Sequence, residues 1–146
     1  MPTAAKLVAA LAFALTGFLG AEAFKLGMPP GMAFGPFSLV IAAIGVLCGW
    51  TISGRLAGAG YTASVGYGLR SSVTIAFWGL LIYSTERMVQ RSLDMLYDGP
   101  VEAVIGIFQL MVDLGQRLLT AEVLTVLAVG GVFGGLVAEW AARRWR

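Results

Sequence analysis

The stretch "VLTVLAVGGVFGGLVAEW", residues 123–140, decides the class of fold because it holds no charged residue before Glu139. A helix needs about 20 mainly apolar residues to cross roughly 30 Å of hydrocarbon, and this stretch approaches that length. The whole chain of 146 residues is 58% hydrophobic and 12% charged, whereas a soluble domain carries about 25% charged residues. We therefore expect an integral membrane protein that folds as a single domain, residues 1–146.

Three further stretches are apolar enough to cross a membrane, at about 7–24, 37–53 and 69–89. The second is short, and the third reaches full length only with Arg70 and Glu86 near the interfaces. Helices are expected rather than barrel strands, because the apolar runs are long and unbroken and every backbone group in lipid must be satisfied within the protein. The sequence thus predicts an all-α protein with four transmembrane helices, the fourth at about 123–140.

Basic residues predict the orientation of these spans, because positively charged loops stay on the cytoplasmic side. With four spans, six of the ten basic residues fall on the side of the termini: Lys6, Arg55, Arg70, Arg143, Arg144 and Arg146. We expect a multi-pass protein of the bacterial inner membrane with both termini cytoplasmic. A fifth span at 101–120 is not expected, because it would bury Glu102 and Asp113 in lipid.

The stretch between the third and fourth spans, about 86–120, contains most of the acidic residues. At about 100° per residue it divides into two amphipathic helices joined at "DGP", residues 98–100, which predicts an amphipathic helical hairpin on the periplasmic side. Its charged residues form a candidate interaction surface: Glu86, Arg87, Arg91, Asp94, Glu102, Asp113 and Arg117. The pattern leaves three roles open, namely a cover for the span ends, a docking surface, or a substrate path through Glu102 and Asp113.

Glycines at four-residue spacing predict close helix packing in two of the spans. The candidate packing residues are Gly45, Gly49, Gly130, Gly131, Gly134 and Gly135. The motif does not distinguish contacts inside this bundle from contacts with a second copy or another protein. The glycine-rich stretch at 50–70 lacks the spacing and the lysine of a phosphate-binding loop, so it is expected to be a flexible or re-entrant connector.

Several classes of chemistry are not expected from this composition. The chain has no histidine and a single cysteine, Cys48, so an intrachain disulfide and a Cys/His metal cluster are both excluded. We expect no enzymatic activity, because no nucleophile lies beside a suitable base. We expect no metal site and no cofactor, because the usual transition-metal ligand sets are missing. A net charge of +2 gives no indication of nucleic-acid binding. The expected partners are the lipid bilayer and either other membrane-protein subunits or further copies of the chain.

Pieces spread over almost the whole chain carry a family resemblance: "MPTAAKL", "AAIGVLCGW", "GRLAGAGY", "GLRSSVT", "YDGPVEAVIGIF" and "EWAARRWR". The sequence resembles the TrgA family of small bacterial inner-membrane proteins, whose name associates them with tellurite resistance. The resemblance implies that phenotype but no mechanism and no functional residues. We expect the chain to act through protein–protein contacts, with an accessory or assembly subunit of a larger bioenergetic membrane complex as the alternative. An oxyanion transporter is less favoured, since Arg55, Arg70 and Arg87 are expected at interfaces rather than in a cavity within the bilayer.

Overall fold

The computed structural model describes residues 3–31, 35–95 and 98–145, and over these ranges the chain is helical without strands. The long helices are α1 (Thr3–Leu26), α2 (Phe37–Cys48), α4 (Tyr61–Leu93), α5 (Pro100–Leu118) and α6 (Ala121–Arg144). A π-helical turn (Gly49–Ser53) and the short α3 (Gly54–Leu56) continue α2. Four segments are long and apolar enough to cross a membrane: Ala4–Leu26, Phe37–Leu56, Tyr61–Leu93 and Ala121–Arg144. The prediction of an all-α protein with four such helices is therefore confirmed.

Close contacts at glycines fix the direction of the first two long helices and of the last. Gly45 of α2 meets Phe13 of α1, and Gly49 meets Ala9, so α2 runs antiparallel to α1. Gly134 of α6 also meets Phe13, and Gly130 meets Thr16, so α6 runs antiparallel to α1 as well. Small residues let helix backbones approach closely where no hydrophobic effect separates protein from lipid.

The fourth helix pairs with α6 in the same antiparallel manner. Gly68 of α4 meets Gly131 of α6, and Gly135 meets Ser64. Helices α1 and α4 therefore run one way, and α2 and α6 run the other way. At one end of the bundle, Ala5 of α1 packs in one cluster with Ala141 and Ala142 of α6. This end, where α1 begins and α6 finishes, is here called the terminal end. At the opposite end, here called the α5 end, the core closes with aromatic rings of α1, α2 and α4.

Helix α4 begins at Tyr61, eight residues before the predicted span at 69–89. The connector predicted over 50–70 is wrong for residues 61–70, which are helical, and the chain between α3 and α4 is only residues 57–60. Local propensity favours a loop there because glycine and serine are common, but packing against α6 stabilises the helix. The second span also extends beyond its predicted end, to Leu56.

Helix α4 is longer than a bilayer requires, since its 33 residues extend over about 50 Å. The excess lies toward the α5 end, where α5 packs against it. A Cβ atom on Gly115 would lie 3.6 Å from Leu80 Cδ2, so the end of α5 contacts the middle of α4. The sequence predicts that the first helix of the hairpin continues through Leu96 and Tyr97, up to "DGP". In the structure α4 ends at Leu93, and Leu96 and Tyr97 lie outside the described ranges.

Candidate functional site

Helix α5 has three distinct faces, of which only one is covered by other described residues of the chain. Gly106, Leu110 and Leu114 are buried and follow helical spacing. The opposite face is an exposed apolar stripe, here called the α5 stripe, formed by Val101, Val104, Ile105, Phe108 and Val112. Phe108 and Val112 are 64% and 63% exposed. The exposed polar residues lie beside the stripe on a third face: Glu102, Gln109, Asp113, Gln116 and Arg117.

Most of the predicted interaction residues surround one cleft at the α5 end, here called the α5 cleft. It has a volume of about 300 Å³ and lies between α4, α5 and the turn at Met28 and Pro29. Five of the seven predicted residues line it: Arg87, Arg91, Asp94, Asp113 and Arg117. The other two do not. Glu86 is exposed on α4, and a Glu102 carboxylate oxygen accepts a 3.0 Å hydrogen bond from the backbone N–H of Asp98.

One arginine of the α5 cleft is held by the aromatic rings that close the core. Arg87 donates to Tyr83 Oη from Nε at 3.0 Å and from Nη2 at 2.7 Å. The Tyr83 ring in turn packs edge-on to Phe24, with centroids 5.9 Å apart, and against Phe37 at 5.0 Å. The position of Arg87 is therefore fixed by residues of three helices.

The other charges of the α5 cleft are not neutralised by one another. Between the described residues, neither Arg91 nor Arg117 forms an ion pair with Asp94 or Asp113. All four side chains are exposed. These groups remain free to contact solvent, lipid headgroups or a partner, and exposed charges of this kind contribute little to stability.

The six glycines predicted to pack helices all lie at contacts inside this chain. A Cβ atom on Gly45, Gly49 or Gly135 would overlap a backbone oxygen of the neighbouring helix. On Gly130, Gly131 and Gly134 it would meet Thr16, Ser72 and Phe13 side chains. These surfaces are occupied within the bundle.

A buried carboxylate at the terminal end was missed as a site by sequence reasoning. Glu139 is 0% exposed. Its Oε2 accepts hydrogen bonds from the Gly58 N–H at 2.6 Å and from Ser64 Oγ at 2.8 Å. Its Oε1 accepts from the Gly60 N–H at 3.2 Å and from Arg143 Nε at 2.8 Å. We call this arrangement the Glu139 clamp, because it ties α6 to the 57–60 connector and to the first turn of α4.

The sequence does contain two local signals for the Glu139 clamp. Glu139 and Arg143 are four residues apart, a spacing that brings their side chains together on a helix. Gly58 and Gly60 both adopt positive φ angles, 102° and 114°, which only glycine takes readily and which turn both N–H groups toward the carboxylate. A buried, fully bonded carboxylate of this kind holds structure together, and its saturated oxygens leave no position for a substrate.

Over the described parts of the chain, no group of three or more His, Cys, Asp and Glu residues is placed to hold a metal ion. Comparisons with known proteins yield no match to a family model, to a curated protein or to a solved structure.

Proposed function

We propose that this chain is a small membrane protein that acts through contacts with other membrane proteins, and that the α5 stripe is a contact surface. The observation that supports this most is the pair of opposite apolar faces on α5. One face packs in the bundle, while no residue in the described ranges covers the α5 stripe. A helix that is apolar on two sides needs cover on both. Its polar face must meanwhile meet water or polar groups, so a protein partner suits it better than lipid alone.

The segment 86–120 acts, in this proposal, as an amphipathic hairpin that presents the α5 stripe and the α5 cleft together. Asp113 and Arg117 lie on the polar face beside the α5 stripe, and Arg91 and Asp94 face them across the α5 cleft, so these free charges would supply a polar border along one side of the apolar contact. Such a role is that of an accessory or assembly subunit. The resemblance to the TrgA family is the basis for extending the proposal to tellurite resistance.

A contact test uses a photo-reactive amino acid in place of Phe108, with the same residue at buried Leu110 as the matched control. After irradiation of native membranes we expect the photo-reactive residue at position 108 to form a crosslink to one membrane protein. The same residue at position 110 should form no crosslink to another protein. A Phe108→Ser, Val112→Ser double variant should keep normal abundance, because both side chains are exposed, yet lose that partner and its tellurite tolerance. Adducts with lipid alone would show that the α5 stripe lies in the bilayer.

We further propose an inner-membrane location with both termini cytoplasmic and α5 periplasmic. This rests on the terminal end of the bundle, where the start of α1 lies beside the end of α6 and where Lys6, Arg55, Arg143 and Arg144 are found.

The orientation can be measured with single cysteines in a Cys48→Ala background. We expect Gln109→Cys on α5 to react with a membrane-impermeant maleimide in cells with a permeabilised outer membrane, and Arg144→Cys to react only after lysis. The opposite pattern would invert the proposed orientation.

A further inference from the structure

Arg70 lies at the middle level of the bundle, although the sequence placed it at an interface. The residues on either side of it, Gly68 and Ser72, both contact Gly131 of α6. Gly131 is close to the midpoint of that helix, which runs from Ala121 to Arg144. On α4 itself, Arg70 is nine residues beyond Tyr61, or about 14 Å along the axis. A bilayer crossed by these four helices therefore has Arg70 near its centre.

The side chain of Arg70 points away from the bundle. The buried residues of this part of α4 are Gly68, Ser71, Ser72 and Ile75, and Arg70 lies on the opposite, exposed side. It shares that side with Val73 and Phe77, which are exposed, and with Gly66. A Cβ atom added to Gly66 would have no neighbouring atom within 4 Å. The spacing of Gly66, Arg70, Val73 and Phe77 forms one stripe along the helix, here called the α4 stripe.

The guanidinium of Arg70 has no partner in the part of the chain that the structure describes. Among those residues the ion pairs are Lys25 with Glu22 and Arg143 with Glu139. Within the described ranges, the one hydrogen bond at Arg70 beyond the helix backbone uses its carbonyl, which accepts from Thr74 Oγ1 at 2.8 Å. A charged side chain deep in a membrane is costly unless it is paired, and it marks a functional contact by default. Half the hydrocarbon thickness is about 15 Å, so an arginine side chain at the centre only partly reaches the surface.

A second copy of the chain cannot supply the missing partner. All eight acidic residues are described. Glu139 is fully buried in its clamp, and Glu22 at the α5 end is bonded to Ser38 and Lys25. The other six lie between Glu86 and Glu122, at or beyond the α5 end. Two copies meeting in parallel through the α4 stripe would also bring Arg70 against Arg70. The complementary charge must come from a different molecule.

We propose that the α4 stripe is a docking surface for a different membrane protein, whose transmembrane helix presents an Asp or Glu near its middle to Arg70. The exposed Gly66 allows that helix to approach closely, and Val73 and Phe77 supply apolar contact. An arginine–carboxylate pair formed in the bilayer would be desolvated and bidentate, which gives specificity as well as attraction. This inference rests on the proposed function but uses a different surface from the α5 stripe.

A direct test measures association in phosphatidylcholine vesicles between the fluorescently labelled chain and synthetic transmembrane helices of leucine and alanine. We expect energy transfer to a helix with Glu at its midpoint, and at least tenfold weaker association with a helix that has Leu there. Arg70→Leu should lose the preference for the Glu helix, Arg70→Lys should retain most of it, and Arg55→Leu, an exposed arginine at the terminal end, should behave as wild type. Equal association with both helices would overturn the proposal.

A second test works in native membranes and separates this proposal from the one on α5. A photo-reactive amino acid at Phe77 should link to a protein with an acidic residue in the middle of a span, and Arg70→Leu should abolish that adduct. The abundance and thermal stability of Arg70→Leu should match those of the wild type, because leucine is more favourable than arginine on a surface that faces lipid. Lipid adducts alone at Phe77, or an adduct unaffected by Arg70→Leu, would refute docking at the α4 stripe. Protein adducts at position 108 would still support the proposed contact at the α5 stripe.

Discussion

Replacing Glu139 with alanine should lower the free energy of unfolding by about 3–5 kcal/mol, because the donors of a buried network then lose their acceptor. The affected donors are the N–H groups of Gly58 and Gly60 and the hydroxyl of Ser64. Each bond to a charged group contributes about 1.5–3 kcal/mol, and removing the buried charge offsets part of the sum. The ion pair with Arg143 adds little, since that arginine is half exposed. Denaturant unfolding in detergent micelles, followed by circular dichroism, measures the change.

The matched control for this prediction is Glu122→Ala, at the opposite end of the same helix. Glu122 is exposed and forms no ion pair with any described residue, so its loss should leave the unfolding midpoint nearly unchanged. Glu139→Gln should fall between the two, because an amide keeps one acceptor oxygen but presents an N–H₂ group to donors. If Glu139→Ala unfolded at the same denaturant concentration as the wild type, the N–H groups of the 57–60 connector would be able to bond to water without loss of stability.

The presence of four helices long and apolar enough to cross a membrane could be predicted, because hydropathy sums over about 20 residues and no single contact decides it. The start of α4 could not be predicted in the same way. The residues from Tyr61 to Arg70 include Ser64, Gly66 and Gly68, which locally favour a connector, whereas in the fold this segment is helical and packs against the distant α6. The level of Arg70 along the bundle depends on where α4 begins, so it could not be predicted from the sequence either.

The two clusters of charge differ in how far apart their residues lie along the chain. The charged residues of the α5 cleft all come from one local segment, 87–117, and these five could be named from helical period alone. Apart from the pair of Glu139 with Arg143, the Glu139 clamp joins residues 75 to 81 positions apart in the sequence. Such pairings depend on how α4 and α6 cross, which one sequence does not specify.

Two alanine substitutions on α4, two residues apart, should differ in their effect on stability, because only one of them should destabilise the protein. Gly68→Ala places a Cβ atom against the backbone of Gly131 and Gly135, which cannot rotate away. The helices must separate, and overpacking of this kind costs about 1–3 kcal/mol. Gly66→Ala meets nothing within 4 Å, so it should be neutral or should stabilise by up to about 1 kcal/mol, the difference in helix propensity.

Thermal unfolding of both variants in the same detergent measures this difference directly, with helix content as the check that each folds. Because the two sites share one helix, differences in propensity and in the unfolded state cancel, and only the contact with α6 remains. Equal midpoints would mean that α4 and α6 separate without cost, and that the close approach at Gly131 does not hold them together. A lower midpoint for Gly68→Ala alone would make that approach the physical reason that residues 61–70 are helix, and hence that Arg70 lies in the middle of the bundle.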